Sequence, residues 1–138
     1  MGSAGTAGKP SPRILVVDDD GATLEAYVRG LGLADYEVVA ADGTEAGWRE
    51  VSHHRPDAIL LDLRMPPPDG LEFLRRLRGR AETRDTPVAI ITGDYLLNDL
   101  VTPRQLAELG AAVYFKPLWL EELGSIVRKL LKKRPPPG

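Results

Sequence analysis

The chain has 138 residues, a formal charge of −2 and no cysteine. That length suits one domain with a sizeable core. The near-neutral charge offers no global basic surface to nucleic acid, and the lack of thiols excludes disulfides and thiolate metal sites.

Residues 1–11, within MGSAGTAGKPSP, read as a flexible leader. Gly2 and Thr6 fit the register of a myristoylation motif, but the stretch lacks the apolar centre of a signal peptide. No apolar run approaches the roughly 20 residues of a membrane span. Arg13 to Val17, RILVV, is a strand candidate that ends in Asp18-Asp19-Asp20. Leu24, Tyr27, Val28 and Leu31 then recur at helical spacing. Tyr36 to Ala40 is a second strand. After the turn at Asp42-Gly43, Thr44, Ala46, Trp48 and Val51 suggest a short helix. Pro56 precedes a third strand, Asp57 to Leu61. Leu71, Leu74 and Leu77 mark another helical face beyond a proline-rich loop. Val88 to Ile91 is a fourth strand, ending at Thr92. Thr102-Pro103-Arg104-Gln105 has a capping threonine, a first-turn proline and a glutamine that completes a capping box. Gly110 closes that helix. Val113 to Phe115 is the fifth strand, ending at Lys116-Pro117. Leu123, Ile126, Val127, Leu130 and Leu131 form a last amphipathic helix with a basic C-terminal end. Residues 133–138 are a short tail.

Five strands alternating with five helices imply an α/β fold with a parallel sheet covered on both faces. The strands are short and almost wholly apolar, as such a sheet requires. Ligands then bind beyond the carboxyl ends of the strands. Asp62 is therefore informative. It closes the run Ala58-Ile59-Leu60-Leu61, and a lone buried carboxylate is costly unless something pairs with it. The strand ends gather Asp18, Asp19, Asp20, Asp62, Thr92 and Lys116 at one edge. Clustered carboxylates want a cation, and hard oxygen donors without His or Cys suit Mg²⁺. A lysine ammonium and a threonine hydroxyl complete a place for a phosphoryl group, with Asp62 as the nucleophile. Singly, each residue has an ordinary explanation: Asp20 as a helix cap, Thr92 as a turn residue, Lys116 as a solvated strand end. Their joint appearance on one edge favours a site. His53 and His54 read as surface residues, and the Leu/Val stripes as core.

The segments ILVVDDD, DAILLDLRMPPPDG, PVAIITGD and YFKPL, in that order, resemble the receiver domain of two-component response regulators. The resemblance runs from Arg13 to Lys132 and places the domain at 12–132. It implies a flavodoxin-like sheet of order 2-1-3-4-5 with five helices. It implies Asp62 as phosphoacceptor, Asp18 and Asp19 as an acidic pair, and Mg²⁺ held by Asp18, Asp19, Asp62 and the Arg64 backbone carbonyl, with Asp19 and Asp62 touching it directly. Thr92 is then the switch hydroxyl and Lys116 the phosphate-binding lysine, followed by a cis Lys116-Pro117 bond. The expected partners are a histidine kinase or phosphotransfer protein and a downstream protein, with no nucleic acid and no membrane. The expected state is a cytoplasmic monomer or weak homodimer, acting as a phosphorylated signalling switch and not as an enzyme. An aspartate-dependent phosphatase fits less well, because position 64, where such an enzyme carries a second acid, is Arg. A receiver-like module that works without phosphate is opposed by the intact acids, Thr92 and Lys116.

Three features depart from the family pattern. Val113 stands where an aromatic switch residue is usual, and Tyr114, one position later, should face the other side of its strand. Asp94 to Val101, DYLLNDLV, reads as a long loop or a single turn over the site, with Asp94 placed to pair with Arg64 as a lid. Trp119 occupies a helix-cap position that its side chain cannot serve, so either packing on Tyr95 or Leu96, or a partner contact, must account for it.

Overall fold

A computed structural model of the chain describes residues 11–66, 68–93 and 103–135. The segment Asp94 to Val101, the Thr102 cap, most of the leader and the end of the tail lie outside the described residues. Strands β1 (Arg13–Val17), β2 (Glu37–Ala41), β3 (Ala58–Leu61), β4 (Val88–Thr92) and β5 (Ala111–Phe115) alternate with helices α1 (Gly21–Leu33), α2 (Thr44–His53), α3 (Gly70–Arg78), α4 (Pro103–Glu108) and α5 (Leu120–Lys133). All strand pairs are parallel, in the order β2-β1-β3-β4-β5. This is the architecture expected from the sequence.

The apolar runs of the central strands β1, β3 and β4 follow from burial on both faces, whereas the edge strands β2 and β5 are only partly covered. Leu15, Val17, Ile59, Leu61 and Ile90 pack under α2, α3 and α4. Their sequence neighbours Ile14, Val16, Leu60, Ala89 and Ile91 pack under α1 and α5. Alternate residues serve opposite layers, as the pleat demands. Val113 joins the α2–α3–α4 layer and Tyr114 the α1–α5 layer, so the aromatic ring does lie on the far side of β5 from position 113.

Local chemistry sets the ends of the elements. Asp20 caps α1, accepting from Thr23 N at 3.2 Å, and Asp69 caps α3, accepting from Glu72 N at 3.0 Å. Gly110, with φ 71°, supplies the left-handed residue after α4. The start of α5 is solved differently. Trp119 offers no side-chain cap, but the Glu122 carboxylate reaches back to accept from Trp119 N at 2.8 Å, half of a capping box. The indole is thereby free of any capping duty and is 79% exposed. Tyr95 and Leu96, its alternative packing partners, lie outside the described residues. β1 has the bounds expected from the sequence, and the other strands differ from expectation by one or two residues at their ends. β5 begins at Ala111 because that residue pairs with Val88, which apolar β-branched patterning alone does not reveal.

Candidate functional site

The register brings the strand ends together. Val17 pairs with both Ala41 and Leu61, and Leu61 pairs with Ile90, so the residues that follow β1 and β3 leave the sheet side by side. Backbone bonds hold them there: Asp18 N donates to Ala41 O at 3.1 Å, Asp62 N to Val17 O at 3.0 Å, and Lys116 N to Thr92 O at 2.9 Å. Asp18, Asp62, Thr92 and Lys116 are thus anchored by the sheet before their side chains do anything.

Asp18 and Asp62 are both buried, with 3% and 6% of their surface exposed, and Thr92 is wholly buried at the end of β4. The Lys116 ammonium lies between the two carboxylates, 2.7 Å from Asp18 Oδ2 and 3.2 Å from Asp62 Oδ2. The other oxygens are also engaged. Asp20 N donates to Asp18 Oδ1 at 2.9 Å, and Arg64 N to Asp62 Oδ1 at 3.1 Å. The question of what pairs with the buried Asp62 therefore has a definite answer: a shared lysine and a backbone amide. Asp19 is exposed at the rim, and one carboxylate oxygen from each of Asp18, Asp19 and Asp62 can be chosen so that all lie within 4.8 Å of one another. Arg64 lines an open groove beside Asp19, with Leu63, Met65, Pro66 and Asp69. Asp20 stands apart from this group and serves α1, in line with its ordinary explanation. His53 and His54 are exposed, as expected.

The turn after β3 is tight enough to require a glycine. A Cβ on Gly70 would collide with the Asp62 carbonyl oxygen and lie 2.8 Å from Leu63 Cα. The start of α3 is therefore pressed directly against the backbone that carries Asp62.

Among the described residues two buried carboxylates share the Lys116 ammonium and a third stands at the rim, and the electrostatics reflect the imbalance. Burial is the largest influence on the Asp18 carboxyl and holds it above its ordinary range; the hydrogen bonds from Lys116 and Asp20 offset only part. Burial also weighs most on Lys116 and pushes it down, but the Asp18 hydrogen bond and the nearby carboxylate charges together outweigh it, so the net movement is upward. Both partners move up for different reasons: Asp18 chiefly by burial, with the Asp62 charge adding to it, and Lys116 because its carboxylate partners together outweigh its own burial. The cluster is short of positive charge. Its donors are all carboxylate oxygens, each with lone pairs to spare beyond its present bonds, and they fit a small hard divalent cation such as Mg²⁺.

One residue at this edge escaped the sequence reading. Thr44 is buried, and its hydroxyl donates to Pro68 O at 2.8 Å, bridging α2 to the loop after β3. In sequence it is indistinguishable from any helix-start threonine.

Comparison with known proteins fits this geometry. The family model described as response regulator receiver domain matches residues 14–128. The transcriptional regulatory protein PrrA of Mycobacterium tuberculosis is 43% identical over 129 residues, which cover 92% of this chain and 53% of that protein. The response regulator MprA of the same organism is likewise 43% identical, over 91% of this chain and 53% of its own length. The chain thus spans about half the length of the curated relatives it matches. Among solved structures, the chemotaxis protein CheY4 of Vibrio cholerae superposes with a TM-score of 0.78 at 25% identity, covering 88% of this chain and 99% of that one. A CheY-like receiver domain from Methanospirillum hungatei gives 0.80 at 25% identity, over 89% and 95%. With its acidic edge, its sheet order and these relatives in agreement, the chain belongs to the response regulator receiver domain family.

Proposed function

We propose that residues 12–132 form a switch that is set when Asp62 accepts a phosphoryl group from the phosphohistidine of a histidine kinase or phosphotransfer protein. In the transfer the N–P bond to histidine breaks and an Asp62 Oδ–P bond forms, giving an acyl phosphate. Asp18, Asp19, Asp62 and the Arg64 backbone carbonyl would hold Mg²⁺. The bound ion supplies charge neutralisation for the phosphoryl oxygens, which is most of what phosphoryl transfer asks of a protein. Lys116, already at hydrogen-bond distance from Asp62, binds a phosphate oxygen. Thr92, wholly buried one strand away, provides the hydroxyl whose new contact signals the modified state. The output is a packing change read by a protein partner. The single observation that carries this reading is the shared lysine between two buried carboxylates with a third at the rim. The family is one of response regulators and not a classical enzyme family. No helix among the described residues is long and apolar enough to cross a membrane, and a cytoplasmic setting suits such a switch.

Incubation with acetyl phosphate and Mg²⁺, followed by intact-mass measurement, is expected to show one phosphoryl adduct. EDTA should abolish it; an equal yield without divalent cation contradicts the metal assignment. Arg64 governs how long the phosphate lasts. It is exposed, two residues past Asp62 at the mouth of the site, where its side chain hinders a water from lining up with the acyl phosphate. Asp94, the proposed other half of the lid, lies outside the described residues. Arg64→Ala should lose phosphate several-fold faster than wild type when the adduct is followed over time. An unchanged rate leaves Arg64 as a solvated loop residue.

A further inference from the structure

The loop between β3 and α3 contains three consecutive prolines, Pro66-Pro67-Pro68. None has an N–H, so the stretch cannot be held by its own backbone donors. A bond from another element can tie it down only by donating to one of its carbonyl oxygens. The Thr44 hydroxyl is such a donor, 2.8 Å from Pro68 O. A threonine at a helix start ordinarily spends its hydroxyl on the N–H groups of its own helix. Here the cap position of α2 is Gly43, which provides no side-chain cap, and the neighbouring hydroxyl crosses to the loop instead.

The helix that carries Thr44 is closely packed. α2 lies so close to the sheet that a Cβ on Gly47 would come within 3.1 Å of Val17 Cγ2 and 3.4 Å of the Phe73 ring. Val17 is the residue before Asp18. One end of the Thr44 bond therefore belongs to the body that presents Asp18 and Asp19, and the other to the loop that leaves Asp62 and carries Arg64. A groove between the two is lined by Asp19, Thr44, Met65, Pro66 and Pro68, among others.

We propose that Thr44 is a positioning residue for the cation site: with Asp18 and Asp62 fixed by the sheet, its bond to Pro68 holds the loop that follows Asp62, and so the Arg64 side of the site, against the Asp18–Asp19 side. This rests on the reading above that these residues hold Mg²⁺. Thr44→Val keeps shape and volume and removes the donor; Thr44→Ser keeps the donor. Titration of MgCl₂ into each protein by calorimetry separates the two effects. Thr44→Val is expected to weaken Mg²⁺ binding roughly tenfold, the scale on which outer-shell changes act, while thermal melting stays cooperative. Thr44→Ser should bind as wild type does. Equal affinity in wild type and Thr44→Val, or equal weakening in Thr44→Ser and Thr44→Val, overturns the proposal. Should Thr44→Val not fold, Thr44→Ala against Thr44→Ser decides on the same criterion. Asp62→Asn serves as the site control. If it weakens Mg²⁺ binding and Thr44→Val does not, the role of Thr44 fails alone. If wild type takes up no Mg²⁺, the site reading and the role of Thr44 fail together.

Discussion

Lys116→Met is expected to destabilise the metal-free protein by about 3 kcal/mol at neutral pH, the lower end of the range for breaking a buried ion pair. The lysine side chain retains 22% exposure, so water softens the loss, but Asp18 and Asp62 are left buried beside each other with no ammonium between them. The pH dependence should change with it. In the variant, burial still raises the Asp18 carboxyl and the opposing Lys116 hydrogen bond is gone. Its pKa then lies further above the unfolded value, and the folded state binds the proton more tightly than the unfolded chain. Stability therefore rises as pH falls through that raised pKa and is least at neutral pH and above. Wild type differs at the alkaline end. The Lys116 pKa is raised in the fold, so the stabilisation from its charge is complete below the ordinary lysine value and is lost as pH climbs through the raised one. Urea denaturation of both proteins across pH checks this. A variant as stable as wild type at neutral pH would mean that the carboxylates do not need the lysine.

Asp18→Asn is expected to move two properties in opposite directions. Removing one of three clustered negative charges relieves repulsion in the metal-free protein. The gain is about 1 kcal/mol, typical of relaxing a functional site. It is kept small because the amide oxygen can face only one of the two present donors, Asp20 N or Lys116. Mg²⁺ affinity should fall by roughly 10–100-fold, the scale of outer-shell changes, since Asp18 stands behind the direct contacts of Asp19 and Asp62. Thermal melting without metal, and calorimetric titration with it, read the two effects separately. A variant both less stable and equally tight for Mg²⁺ would show that Asp18 serves the fold and not the ion.

The contrast between what was readable in the sequence and what was not is physical. The central strands announced themselves because burial on both faces leaves no polar position, as in Val16-Val17 and Leu60-Leu61. The acids at their ends were legible because a carboxylate straight after such a run has to be explained. Thr44 was not, because its partner Pro68 is 24 residues away and nothing local marks the contact. The start of α5 was half legible. Trp119 stood out as unable to cap, yet Glu122, three residues on, already carried the remedy in the form of a reverse capping bond. The early start of β5 at Ala111 depends on pairing with Val88, a tertiary fact with no signature in an alanine pair.

The proposed chemistry stands or falls on Asp62. Wild type and Asp62→Asn, each incubated with acetyl phosphate and Mg²⁺ and compared by intact mass, give the direct test. Wild type should gain one phosphoryl group and Asp62→Asn none, although the asparagine keeps the Arg64 amide bond and the fold. An adduct that survives the substitution would place the phosphoryl group on another residue and contradict the assignment.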